Sequence, residues 1–140
     1  MSLTLDPSGA TPIYQQVVEQ VQRRVAMGTL LPGDPVPSVR QLALELTINP
    51  NTVARAYLEL EYQGILHKRQ GQGTYVSPGA VEALRREGAQ LVAVLLARAV
   101  ADAALFGIPL SELDALYRQA KRDASPAPGK VDTKDKAVPR

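Results

Sequence analysis

Apolar residues recur every four positions from Ile13 through Val17 and Val21 to Val25, with Gln, Glu and Arg between them. That period predicts an amphipathic helix over Pro12 to Met27, opened by Thr11 or Thr11-Pro12 and closed by Gly28. The next stretch holds Gly28, Pro32, Gly33, Pro35 and Pro37, too broken for a helix or a central strand. Ser38 then opens a second helix, in which Val39, Leu42, Ala43 and Leu46 form one buried stripe at i, i+3, i+4 and i+7. A tight turn at Thr47-Ile48-Asn49 follows. Asn49 is a good N-cap, and Pro50 takes the first helical position, where its missing N–H costs nothing. The third helix runs to about Gln63, stops at Gly64 and buries Val53, Ala56, Tyr57 and Leu60.

The period then changes. Leu66-His67-Lys68-Arg69 and Thr74-Tyr75-Val76-Ser77 read as short strands around a glycine-flanked tip, Gln70-Gly71-Gln72-Gly73, which predicts a β-hairpin. Pro78-Gly79 marks a boundary. Val81 to Phe106 is a long helical pattern, with Leu84, Leu91, Leu95, Ala99, Ala103 and Phe106 mostly on one face, broken by Gly107 and Pro109. Ser111, as N-cap, starts a last short helix carrying Leu113, Leu116 and Tyr117. The chain thus divides into an N-terminal arm (1–11), a first domain (12–78), a helical region (79–123) and a tail (124–140) that has almost nothing to bury and is expected to be disordered.

Composition narrows the function. At 140 residues and 45% hydrophobic, the chain has enough apolar content for one domain, or a small domain with an appendage. It has no Cys and one His, which removes thiol catalysis, thiolate zinc and a His-rich metal site; no cofactor is expected. The carboxylates follow no catalytic spacing and no nucleophile has a recognisable setting, so an enzyme is not expected. No stretch approaches the roughly 18 uninterrupted apolar residues of a membrane span, and no secretory signal is visible, so a cytoplasmic protein without a membrane partner is expected. Net charge is only +2. Residues 1–78 and 79–123 are each balanced, and the excess lies in 124–140. Nucleic-acid binding would have to come from local placement of charge.

Two helices joined by a three-residue turn, a preceding helix that completes their core and a following hairpin make a winged helix-turn-helix. The expected fold is mainly α with a small β-hairpin, followed by a two-helix dimerisation appendage. On the third helix, Asn51, Arg55 and Glu59 recur every four residues, with Thr52 beside them, opposite the buried face. The N-terminal half of a recognition helix enters the major groove, and Asn and Arg suit bidentate contacts to adenine and guanine. Arg40 lies near the start of the second helix, where a phosphate or base edge is within reach; an ion pair with Glu45 or Asp34 is the plain alternative. Lys68 and Arg69 lead into the wing. His67 is read as a strand residue or a phosphate contact.

Residues 12–77 resemble the winged domain of GntR-family transcriptional regulators. The matching stretches are Pro12-Ile13-Tyr14-Gln15-Gln16, Leu31-Pro32-Gly33-Asp34, Pro37-Ser38-Val39-Arg40-Gln41-Leu42-Ala43, Asn49-Pro50-Asn51-Thr52-Val53-Ala54-Arg55-Ala56-Tyr57 and Arg69-Gln70-Gly71-Gln72-Gly73-Thr74-Tyr75-Val76. The resemblance implies DNA contacts at Arg40, Asn51, Thr52, Arg55 and the wing around Gly71. With the capping residue and the wing included, the candidates are Arg40, Asn49, Asn51, Thr52, Arg55, Lys68, Arg69, Gln70, Gly71, Gln72 and Gly73. The short helical appendage resembles that of the YtrA subfamily, which implies a repressor of its own operon and neighbouring transporter genes. Pro35, Ala54 and Gln72 depart from the family's pattern, and two possible phosphate contacts go with them.

So few basic residues predict weak binding by one winged domain, and specific recognition pairs half-sites roughly 34 Å apart. A homodimer on a palindromic operator of double-stranded DNA is therefore expected, paired through Leu84, Leu91, Leu95, Ala99, Ala103 and Phe106. The alternative is a winged-helix protein-interaction module that docks partners on its third helix. A small-molecule effector could sit in the appendage, although no polar cluster identifies one.

Overall fold

The computed structural model describes residues 1–124; the expected disordered tail, Ala124 apart, lies outside the described residues. The elements are α1 (Ile13–Met27), β1 (Pro35–Val36), α2 (Val39–Leu46), α3 (Pro50–Tyr62), β2 (Leu66–Arg69), β3 (Gly73–Val76), α4 (Ala80–Leu105) and α5 (Leu110–Asp123). They divide into two units, Met1–Glu87 and one that begins at Gly88.

In the first unit, Val17, Val18, Val21 and Val25 of α1 meet Leu42 and Ala43 of α2 and Val53, Ala56, Tyr57 and Leu60 of α3 in one buried cluster. Each valine and leucine in it contributes about 1.5–3 kcal/mol by leaving water. Local chemistry sets where the helices start. The Ser38 hydroxyl accepts the Gln41 N–H at 3.0 Å, and the Asn49 side-chain oxygen accepts the Asn51 N–H at 2.8 Å, with Pro50 next in line. Between α2 and α3 the chain reverses through Thr47, which sits in the left-handed region at φ 56°. Its neighbour Ile48 donates to the Ala43 carbonyl at 3.0 Å and closes the helix end.

The hairpin is a three-stranded antiparallel sheet in the order β1-β3-β2, with Leu66 opposite Val76 and Arg69 opposite Gly73. The extra strand, Pro35–Val36, pairs with Tyr75 and Thr74. Pro35 cannot donate to a ladder, so the segment that looked too broken for a central strand serves as an edge strand. Val36 from this strand joins Ile65, Leu66 and Val76 in sealing the core. The N-terminal arm is tied to α1 by two glutamines one turn apart. Gln20 accepts the Thr4 N–H at 3.0 Å, and Gln16 accepts the Asp6 N–H while donating to the Asp6 and Thr11 carbonyls, each at 2.8 Å.

The first turns of α4 belong to this unit: Ala80 and Ala83 are buried and Leu84 packs against the core. Farther along, the helix departs from the expected single stripe. Leu91, Val92, Val94, Leu95, Leu96 and Val100 are all at least half exposed or nearly so, and at helical spacing they lie on every side. By length and composition α4 could cross a membrane, with a mean hydropathy of 1.6 over its most apolar 18 residues. As expected, no run of that length is uninterrupted; the apolar character adds up from leucine, valine and alanine on both sides of two charged residues. Arg98 and Asp102 interrupt the run and pair with each other at 3.2 Å. The last helix starts two residues earlier than expected, with Pro109 at its cap and Ser111 inside its first turn.

Candidate nucleic-acid interface

The outward side of α3 begins at its cap. Asn49 uses its side-chain oxygen on the backbone, which leaves its amide NH2 outward, and Asn51 is exposed with its side chain unbonded among the described residues. Thr52 is half-buried beside them. One turn on, the Arg55 guanidinium lies over the Tyr14 ring of α1, its central carbon 3.7 Å from the ring centroid. Ile13, Tyr14, Asn49, Asn51, Thr52 and Arg55 together line a concave site of about 380 Å3 where the starts of α1 and α3 meet. The start of α1 and one guanidinium make this corner locally positive, although the unit as a whole is balanced; at the start of α3, Pro50 has no N–H and those of Asn51 and Thr52 are bonded to Asn49.

Glu59, third in the four-residue series, is tied elsewhere. Its carboxylate accepts the Gln63 side-chain NH2 at 3.0 Å, and the Gln63 oxygen accepts from Gln22 of α1 at 2.7 Å. That chain locks α3 against α1 and turns the acidic group toward its own protein. Arg40, in the first turn of α2, is exposed. Among the described residues it makes no ion pair with Glu45 or Asp34; the Asp34 carboxylate instead accepts the Leu31 N–H at 2.9 Å.

The wing is stiffer than its glycines suggest. Gly71 and Gly73 take positive φ of 73° and 105°, which turns the chain tightly around the exposed Gln70 and Gln72. The Tyr75 hydroxyl donates to the Gln72 carbonyl at 3.0 Å, and the Arg69 guanidinium stacks over the same ring at 4.1 Å. Lys68 is exposed, 4.0 Å from the Glu61 carboxylate. The half-buried His67 ring lies beside Tyr75, with 6.2 Å between ring centroids.

Two of the three candidate arginines, Arg55 and Arg69, therefore rest on tyrosines. Neither Tyr14 nor Tyr75 was a candidate from the sequence. The available signal was an aromatic residue outside the buried stripe: Tyr14 follows Ile13 by one position, and Tyr75 alternates with the buried Thr74 and Val76. The appendage residues fall in different settings. Leu84 packs on the winged core, Ala103 is buried, and Leu91, Leu95, Ala99 and Phe106 are exposed. Among the described residues no three His, Asp or Glu side chains gather as a metal site.

Residues 13–76 match the gntR family of bacterial regulatory proteins. The chain is 36% identical over 121 residues to the HTH-type transcriptional repressor YtrA of Bacillus subtilis, covering 86% of this chain and 93% of that one. A solved transcriptional regulator from Oenococcus oeni superposes with a TM-score of 0.67 at 30% identity, covering 84% and 97% of the two chains. YtrA from Sulfolobus acidocaldarius, a GntR-family transcription factor, superposes at 0.60 with 31% identity, covering 71% and 97%. These relatives are transcriptional regulators, not enzymes.

Proposed function

The chain belongs to the gntR family of bacterial regulatory proteins, and from that premise we propose a dimeric repressor that reads a palindromic operator with α3. Sequence-specific DNA binding and transcriptional control are the family's work. The observation that carries the assignment of the reading face is the Arg55 side chain, which offers in-plane donors at the outward start of α3. Asn51 adds an adenine-type reader one turn earlier, and Arg40 and the wing flank them with phosphate contacts. A cytoplasmic location goes with this reading.

Dimerisation through the helical region is supported by what α4 leaves uncovered. Leu91, Leu95 and Phe106 are each more than half exposed in one chain, an apolar surface of the kind that marks an interaction site. A second copy of the same helix covers it, and the resulting two-fold supplies two α3 helices to two half-sites. Electrophoretic shift of duplex from upstream of the protein's own gene, with sedimentation of the free protein, tests the proposal. A saturable shift at nanomolar protein by a sedimenting dimer supports it. A detergent-free monomer, or a chain recovered only with lipid, contradicts the dimeric part.

A further inference from the structure

We infer that Tyr14 of α1 is a positioning residue for sequence reading: it holds Arg55 of α3 in the orientation from which its edge meets a base pair. This rests on the proposed reading face. A guanidinium has two chemically different surfaces. Its flat faces are attracted to an aromatic ring, and its N–H donors all point outward in the plane. At 3.7 Å from the Tyr14 centroid, Arg55 spends one face on the ring. Among the described residues it makes no ion pair or side-chain hydrogen bond, so every in-plane donor stays available for a bidentate contact. Tyr14 can hold it because Tyr14 is itself held: the ring is half-buried and packs against the core of the winged unit. A long side chain that would otherwise be ordered only on binding is ordered beforehand, which cuts the entropic cost of reading.

The ring matters and the hydroxyl does not, since the Tyr14 hydroxyl makes no hydrogen bond among the described residues. That separates stacking from polar contact experimentally. The full chain first selects a duplex from a random-sequence library of about 30 base pairs, long enough for two half-sites. Affinities for that duplex are then measured for Tyr14→Phe, Tyr14→Leu, Arg55→Ala and the double variant Tyr14→Leu/Arg55→Ala. Tyr14→Phe binds as the parent does. Tyr14→Leu loses about three- to tenfold, the range expected when a stacked, preordered side chain is set free. The double variant binds no more weakly than Arg55→Ala alone, because Tyr14 acts only through Arg55.

Losses that add in the double variant, or an equal loss by Tyr14→Leu on a non-selected duplex, overturn the inference. If Tyr14→Leu does not fold, NMR of the free parent chain and Tyr14→Phe decides. Arg55 side-chain protons shifted upfield by the ring in both support the stack, and unshifted protons overturn it. A parent chain that enriches no sequence overturns the functional reading and this inference together. A parent that enriches one, yet shows additive losses, overturns the inference alone.

Discussion

The Tyr57 hydroxyl donates a 2.8 Å hydrogen bond to the carbonyl of Pro37, tying the middle of α3 to the residue just before the cap of α2. The ring beneath it is 1% exposed. One side chain thus ties α3 to the start of α2, the helix that carries Arg40. Burial, with the Glu45 charge adding, pushes ionisation of this phenol well above its ordinary range.

Tyr57→Phe leaves the Pro37 carbonyl without its donor and is expected to cost about 1–2 kcal/mol of stability. The sign of the pH dependence follows from the raised ionisation. Below about pH 10 both folded and unfolded phenols are protonated, and the contribution is complete. Above that value the unfolded phenol ionises first, so stability falls as pH rises. Urea titrations at a series of alkaline pH values should show a steeper loss for the parent than for Tyr57→Phe.

Thr47 is the one non-glycine residue with positive φ among the described residues, and it is exposed. A β-branched residue there costs about 1–2 kcal/mol relative to one free to adopt the left-handed region. Thr47→Gly removes the strain but gives the unfolded chain more freedom, leaving a net gain of about 0.5–1 kcal/mol. Urea unfolding measures the gain; operator affinity at matched conditions should not change.

Arg40→Ala should weaken binding to selected and unselected duplex alike. If the side chain meets one phosphate, the slope of log affinity against log salt becomes shallower by about 0.9. Filter binding over a salt series checks this. A loss restricted to the selected duplex would instead mark Arg40 as a base reader.

Leu91 and Leu95 lie one turn apart on α4, both exposed within one chain. A charge at that position has no place in an apolar helix pair. Leu95→Glu should move the sedimenting species from a dimer to the single 15.1 kDa chain and weaken operator binding. The winged unit should keep its own thermal transition, since its core contains neither residue.

The winged unit was largely legible in the sequence because its signals are local. Ser38, Asn49 and Pro50 announce helix starts by chemistry within three residues, and the four-residue spacing of Val17, Val21 and Val25 gives the buried face directly. What stayed hidden is non-local. Pro35–Val36 becomes a strand only because Tyr75 and Thr74 lie beside it, about forty positions away in the chain. The same distance in sequence separates Tyr14 from Arg55, so no periodicity could pair them. On α4 the difficulty was different. Apolar residues occur on all sides, and choosing Leu91, Leu95, Ala99 and Ala103 as one stripe passed over Arg98 and Asp102 on the same side.

Everything functional depends on the outward start of α3 reading base edges, and a base-pair substitution scan of the selected duplex tests that most directly. Each position is changed in turn, and affinity is measured for the parent and for Arg55→Ala. The parent should lose affinity sharply at a few symmetric positions. Arg55→Ala should bind the unmodified duplex about 1–3 kcal/mol more weakly and lose its preference at one position in each half-site. An Arg55→Ala variant with the parent's affinity and an unchanged profile would contradict the account, because the residue at its centre would then touch no base.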